Sequence, residues 1–167
     1  EKDLINQMRI ATKSSKIDIS KEIITQKIAE KIASKVSKNT TLLFYGNIGV
    51  GKTTFIRYLI NYLQTKNGLE KTEIPSPTFN IINEYEINSL IVRHFDLYRI
   101  KDKKELNNLG INENSEDYAR LIEWPEILGQ NIESTFTFKF EYDEKLENRY
   151  LIISNNIDFD FNEFEKI

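Results

Sequence analysis

The segment Gly46-Asn47-Ile48-Gly49-Val50-Gly51-Lys52-Thr53 fits the spacing G-x-x-x-x-G-K-[ST], and Thr54 follows it. No other stretch restricts the fold as strongly. Glycines at these positions let the backbone turn tightly, so that successive N–H groups converge on phosphate oxygens. A helix starting at Lys52 aims its free N–H groups and the positive end of its dipole at the same anion. At this chain's amino-acid frequencies the pattern is expected by chance only roughly 0.003 times over its length. The flanks agree. Thr40-Thr41-Leu42-Leu43-Phe44-Tyr45 is a short apolar run suited to a buried strand. Beyond the loop, Phe55, Ile56, Leu59, Ile60 and Leu63 share one face of a helix expected from Lys52 to Asn67, with Gly68 placed to end it. The pattern predicts a phosphate cradle in which Lys52 reaches the β and γ phosphates and the Thr53 hydroxyl ligates Mg²⁺.

Alternating elements around that loop predict an α/β fold. From Ser20, an N-cap candidate, Ile24, Ile28, Ile32 and Val36 recur every four residues beside Ala29 and Ala33, which predicts an amphipathic helix as far as Ser37. Ile81–Ile87 and Leu90–Phe95 read as an antiparallel hairpin turning at Asn88-Ser89. Lys103–Leu109 reads as a short helix stopped by Gly110, and Ala119–Trp124 as a brief strand. In Thr135–Tyr142, Phe136, Phe138, Phe140 and Tyr142 alternate with polar residues, so one aromatic face is buried. Arg149–Ser154 supplies one more strand. The acid–aromatic alternation from Asp158 to Phe164 suits an edge strand, a docking tail or disorder. The expected architecture is a P-loop NTPase fold, a three-layer α/β/α arrangement with a mostly parallel sheet plus an antiparallel hairpin. No repeat or linker divides the 167 residues, so one domain is expected over 1–167, with its core at about 20–154 and a tail at 155–167.

Composition narrows the function. The longest uncharged stretch, Asn39–Gly51, has 13 residues against the roughly 18–20 of a membrane span, so no membrane association is expected. Glu1, Lys2 and Asp3 mix signs ahead of no apolar run, which does not read as a secretory leader. The chain has no cysteine, which excludes disulfides, thiolate nucleophiles and Cys-ligated metals and is compatible with the cytoplasm. A net charge of −3 makes unaided RNA binding unfavourable.

Hydrolysis needs a carboxylate at the end of a neighbouring strand to hold the metal shell or the attacking water. Asp96 closes Leu90-Ile91-Val92-Arg93-His94-Phe95 and Glu123 closes Leu121-Ile122. We assign Glu123 to the metal and Asp96 to the water or the metal shell, roles that the sequence leaves interchangeable. Lys52, Asp96 and Glu123 are thus the candidate catalytic residues. His94, the only histidine, reads as structural rather than catalytic on its apolar strand. Trp124 reads equally as core or as a ring beside the site. Thr78, after two prolines, is either a switch hydroxyl sensing the γ-phosphate or a turn residue.

Taken together, Gly46–Thr54, Ser76-Pro77-Thr78-Phe79, Glu84-Tyr85, His94-Phe95-Asp96-Leu97-Tyr98-Arg99, Glu105-Leu106 with Leu109-Gly110, and Ile122-Glu123-Trp124-Pro125 resemble the TsaE (YjeE) family in order and spacing. The resemblance covers roughly Ser20 to Ser154. It implies a Mg²⁺-dependent ATPase of threonylcarbamoyladenosine (t⁶A) tRNA modification. Such a protein supports the TsaB–TsaD pair that modifies adenosine 37, meets tRNA only through those partners, and is a monomer when free. It implies Mg²⁺ ligation by Thr53 and Glu123 and a need for Asp96 in turnover. It also places Thr25 of the first helix and Arg149 of the late strand near the nucleotide. Asn47, Ile48 and Val50 replace the usual Asp, Leu and Ala of the family's GDLGAGKT, and the glycines and lysine are kept.

Three other readings compete with this one. A small-molecule P-loop kinase would bring several lid arginines to the transferred group, and this chain has six arginines and no Arg-rich segment. A GTPase would carry N/T-K-x-D, but the nearest string, Thr65-Lys66-Asn67-Gly68, lacks the Asp, so adenine is the expected base. An ATP-gated assembly subunit with slow or incidental hydrolysis shares every residue with the ATPase.

Overall fold

A computed structural model describes residues 14–130, 132–156 and 160–164. The strands are β1 (Ser14–Asp18), β2 (Thr41–Tyr45), β3 (Ile82–Ile87), β4 (Leu90–Asp96), β5 (Ala119–Glu123), β6 (Phe136–Tyr142) and β7 (Arg149–Asn155). The helices are α1 (Glu22–Ala33), α2 (Lys52–Lys66) and α3 (Lys103–Asn108). All seven strands form one sheet in the order β1-β7-β6-β2-β5-β4-β3.

The sheet is mixed. Strand β2 pairs in parallel with β5 and β6, and β4 pairs in parallel with β5. The expected hairpin is present as β3 and β4. Antiparallel pairing also runs through β6, β7 and β1 at the other flank, beyond the single hairpin that the sequence suggests. The connection 143–148 is too short for the crossover of a dozen or more residues that a parallel return needs. Instead it closes a turn, with the Asp143 N–H donating to the Asn148 carbonyl at 3.0 Å.

Side-chain alternation divides the core between two faces. On one, Leu42, Phe44, Val92, Leu121, Phe138 and Ile153 pack with Ile28, Ile32, Phe55 and Leu59 of α1 and α2. Phe138 lies 5.0 Å from Phe44 and 4.9 Å from Phe55 between ring centroids, so the alternating aromatics of β6 meet the helix after the glycine loop. Burying each such ring contributes about 1.5–3 kcal/mol. On the other face Leu43, Phe95 and Ile122 pack under Leu97, Ile100, Ile111 and Tyr118, with Leu106 and Leu109 against them.

Four expectations are corrected. Helix α1 starts after Lys21, not at a Ser20 cap, because the Ser20 hydroxyl accepts from the Arg149 N–H at 3.1 Å and is committed to β7. It ends at Ala33 rather than Ser37. Strand β5 ends at Glu123, since Trp124 is left-handed (φ 58°). The segment Phe161–Phe164 is a 3-10 turn whose Phe164 is buried in the α1–α2 core, so no edge strand forms there, and residues 157–159 lie outside the described ones. Among the described residues no helix is long and apolar enough to cross a membrane.

Candidate functional site

Because β2, β4 and β5 run parallel, their carboxyl ends share one edge of the sheet. Asp96 is the register partner of Glu123, and Glu123 is in turn the partner of Phe44, the last residue but one of β2. Period-two alternation puts His94 and Asp96 on the face of Val92, and Glu123 on the face of Leu121. Both belong to the α1–α2 core, so the acids rise on the side where α2 begins.

The glycine loop bridges β2 to α2. Gly46 (φ 146°), Gly49 (φ 77°) and Gly51 (φ 119°) all have left-handed backbones. At Gly46 the space is also missing: a Cβ would stand 2.8 Å from Val50 Cγ1 and 2.9 Å from the Phe140 carbonyl oxygen. Gly51 is the N-cap of α2, and among the described residues no side chain caps the helix. The first-turn N–H groups therefore have no partner within their own helix, which is what an anion requires.

Around this terminus stand the polar side chains. The Lys52 ammonium donates to the Gly46 carbonyl and lies 3.9 Å from the centroid of the Trp124 ring. Burial lowers its pKa, and the nearby charges of Glu123, Asp96 and Glu126 oppose that shift. The Thr53 hydroxyl reaches Glu123 Oε1 at 3.4 Å, while Glu123 Oε2 is 2.7 Å from His94 Nε2. Asp96 is held differently. Its Oδ2 accepts from the Ser76 hydroxyl at 2.9 Å and its Oδ1 from the Tyr98 N–H at 3.1 Å. Ser76 also shares a hydrogen bond with Thr78 at 3.0 Å.

A cleft of about 350 Å³ joins these groups, lined by Ile48, Gly49, Gly51, Lys52, Thr53, Thr54, Ser76, Thr78, Asp96, Tyr98, Glu123, Trp124 and Arg149. Eleven of these, all but Ser76 and Tyr98, carry a site reading from the sequence, Trp124 as one of two alternatives. Gly46, Asn47 and Val50 belong to the loop without lining the cleft, and Val50 is a core residue. Thr25 is buried on α1 and is not part of the lining. Arg149 comes close to the helix start, since a Cβ on Gly51 would lie 3.8 Å from its Nη1. Trp124 fulfils both of its readings. It lines the cleft, packs against the second core, and sits 4.9 Å from the Tyr98 ring.

Sequence reasoning gave no role to Ser76 or Tyr98. A signal existed for Tyr98, because an Asp two residues before an N–H is the spacing of an Asx turn. Nothing local points from Ser76 to Asp96, twenty residues away.

Three left-handed glycines, an uncapped helix start, one hydroxyl and two carboxylates can receive a triphosphate with a divalent cation. Mg²⁺ is suited to such a donor set, since it binds through one or two carboxylates and takes its other ligands from phosphate and water. Fold and site together define a class of α/β proteins that carry a glycine loop and facing acids at the carboxyl edge of a mixed sheet. Comparison narrows the class. The family model described as "Threonylcarbamoyl adenosine biosynthesis protein TsaE" matches residues 19–151, and the chain belongs to the TsaE family.

Its relatives include proteins named tRNA threonylcarbamoyladenosine biosynthesis protein TsaE. That of Rickettsia conorii is 37% identical over 110 residues, 66% of this chain and 61% of that protein. That of Haemophilus influenzae is 33% identical over 137 residues, 79% of this chain and 82% of that protein. The chain thus matches less than two thirds of the length of the Rickettsia conorii relative. The crystal structure of YdiB from Bacillus subtilis superposes with a TM-score of 0.66 at 24% identity, covering 92% of this chain and 90% of that one, a likeness of fold.

Proposed function

We propose that this protein is a Mg²⁺-dependent ATP hydrolase that supports t⁶A modification of tRNA adenosine 37 with a TsaB–TsaD pair in the cytoplasm. The pathway is named by its relatives. The observation that carries the hydrolytic reading is the convergence of Thr53, Glu123 and Asp96 on the uncapped start of α2.

In this reading the loop N–H groups and Lys52 hold the phosphates and neutralise their charge. Thr53 and Glu123 hold Mg²⁺, with Asp96 completing its shell or orienting the attacking water. When bound, Mg²⁺ supplies charge stabilisation to the transferred phosphoryl group. Ser76 and the Tyr98 N–H fix the Asp96 carboxylate before substrate arrives, so little reorganisation is left for the reaction itself. Trp124 and Tyr98 line one side of the cleft.

Steady-state ATP turnover, measured alone and with a TsaB–TsaD pair, tests the proposal. Mg²⁺-dependent phosphate release that rises with the pair is expected. Tight nucleotide binding with no phosphate release in either case would favour an ATP-gated assembly subunit instead. Because the net charge is −3, the lone protein is expected to shift tRNA only weakly at physiological salt. A submicromolar shift would contradict access through partners.

A further inference from the structure

We propose that His94 is a positioning residue: its imidazole holds the Glu123 carboxylate so that Oε1 is the oxygen offered beside Thr53. The proposal rests on the reading of Glu123 and Thr53 as Mg²⁺ ligands and adds the residue that orients them.

The geometry is specific. His94 Nε2 and Glu123 Oε2 are 2.7 Å apart, with side chains 0% and 3% exposed. A carboxylate only accepts, so Nε2 carries a proton and donates it to Glu123 Oε2. Nδ1 is buried and has no hydrogen-bond partner among the described residues. Leaving a buried polar atom unpaired costs about 1–3 kcal/mol, a penalty that an apolar side chain in the same slot would avoid. Packing alone therefore does not account for a histidine here. Register accounts for the reach: His94 stands opposite Leu121, so Glu123 is the next residue along β5 on the same face, and its side chain lies diagonally across from the ring.

The consequence falls on the two carboxylate oxygens. Oε2 is occupied by the imidazole at the floor of the site, and Oε1 is left 3.4 Å from the Thr53 hydroxyl. Partners of this kind, one bond behind a metal ligand, fix its orientation, and losing them typically costs about 10–100-fold in metal affinity.

The test uses two variants and the intact protein. His94→Leu removes the donor, whereas His94→Gln keeps an N–H able to reach Oε2. With a nonhydrolysable ATP analogue present, Mn²⁺ affinity followed by electron paramagnetic resonance should fall about 10–100-fold in His94→Leu and be largely restored in His94→Gln. Affinity for the analogue without metal should be the same in all three proteins. Equal Mn²⁺ affinity in His94→Leu and the wild type overturns the positioning role alone. A wild-type protein that binds no Mn²⁺ with the analogue removes the ATPase reading and this proposal with it.

The wild type gives a check that does not depend on the variants folding. Its single histidine makes ¹⁵N-histidine labelling report one imidazole. A proton on Nε2 is expected, with a shift of the Nε2 resonance when Mg²⁺ and the analogue are added. A proton found on Nδ1 instead, or no response to the metal, overturns the proposal.

Discussion

Asp96 and Glu123 are register partners at the ends of parallel strands β4 and β5, yet their carboxylates are held by different groups. Glu123 is tied to a buried imidazole and to the Thr53 hydroxyl, and Asp96 to the Ser76 hydroxyl and the Tyr98 N–H. The sequence leaves their roles interchangeable. The contact with Thr53, the residue after the loop lysine, favours Glu123 as the acid that shares a metal with the loop.

Replacing Glu123 tests that division directly. Glu123→Ala is expected to lower Mg²⁺-dependent turnover by about 100-fold or more, since the metal supplies several kcal/mol of charge stabilisation. The change leaves the His94 N–H unpaired at a cost of about 1–3 kcal/mol, which should lower the melting temperature without altering the circular dichroism of the fold. A retained rate would move the metal role to Asp96.

Two glycines of the loop should respond differently to the same methyl group. In Gly46→Ala the Cβ meets Val50 Cγ1 at 2.8 Å and the Phe140 carbonyl oxygen at 2.9 Å, and the backbone is strained as well. Overpacking and strain together should cost about 3 kcal/mol or more. In Gly49→Ala no atom of the described residues lies within 4 Å, so the left-handed backbone is the penalty, at about 1–2 kcal/mol. Urea denaturation of the pair measures the gap, and equal midpoints would mean that the loop yields at Gly46.

What the sequence made legible were features with local causes. The loop, the amphipathic face of α2, the alternating aromatics of β6 and the acids closing β4 and β5 each depend on spacing within one element. Strand β1 was not legible because Ser14-Ser15-Lys16-Ile17-Asp18 has too little apolar alternation, being paired, among the described residues, with β7 alone. The Ser20 cap failed for a related reason: a side chain suited to start a helix was taken by a backbone N–H 129 residues away. Ser76 on Asp96 and His94 on Glu123 are likewise products of tertiary packing, which no window along the chain contains.

The buried ammonium of Lys52 gives a pH signature. Burial lowers its pKa from the ordinary 10.5. Between the lowered value and 10.5 the unfolded chain holds a proton that the folded protein releases, so stability from this group rises with pH across that window. Below the window both states are charged and the contribution is constant. Lys52→Met removes the group, so wild-type stability relative to the variant should increase as the pH is raised towards the ordinary 10.5 in paired thermal melts. A difference that stays flat or falls would show that the ammonium is not desolvated. At neutral pH the variant should lose ATP turnover, and unchanged activity would contradict the role of the loop.

Arg120 lies at the opposite end of β5 from Glu123, and its value is structural. Its side chain is buried and bonds three neutral groups from two parts of the fold, β2 and the turn after α3. Nε and Nη2 donate to the Thr41 hydroxyl oxygen at 3.1 and 2.9 Å, and Nη1 donates to the Ile111 carbonyl at 2.8 Å and to Asn112 Oδ1 at 2.9 Å. Burial lowers its pKa, so the charge carries a desolvation cost that these acceptors and the neighbouring Tyr118 oppose. Arg120→Met would remove that cost and also take both guanidinium donors from the buried Thr41 hydroxyl, at about 1–3 kcal/mol, and leave the Ile111 carbonyl with only the longer 3.4 Å bond from the Tyr118 hydroxyl. The acceptors should outweigh the desolvation, and the variant should lose about 2–4 kcal/mol in urea unfolding. Arg120→Lys should recover little, because one ammonium cannot span acceptors that a planar fork reaches together. Since three residues of strand, about 10 Å, separate Arg120 from Glu123, the KM for ATP should not move. A loss below about 1 kcal/mol in Arg120→Met would mean that water replaces the guanidinium and that the turn after α3 is held by its apolar contacts instead.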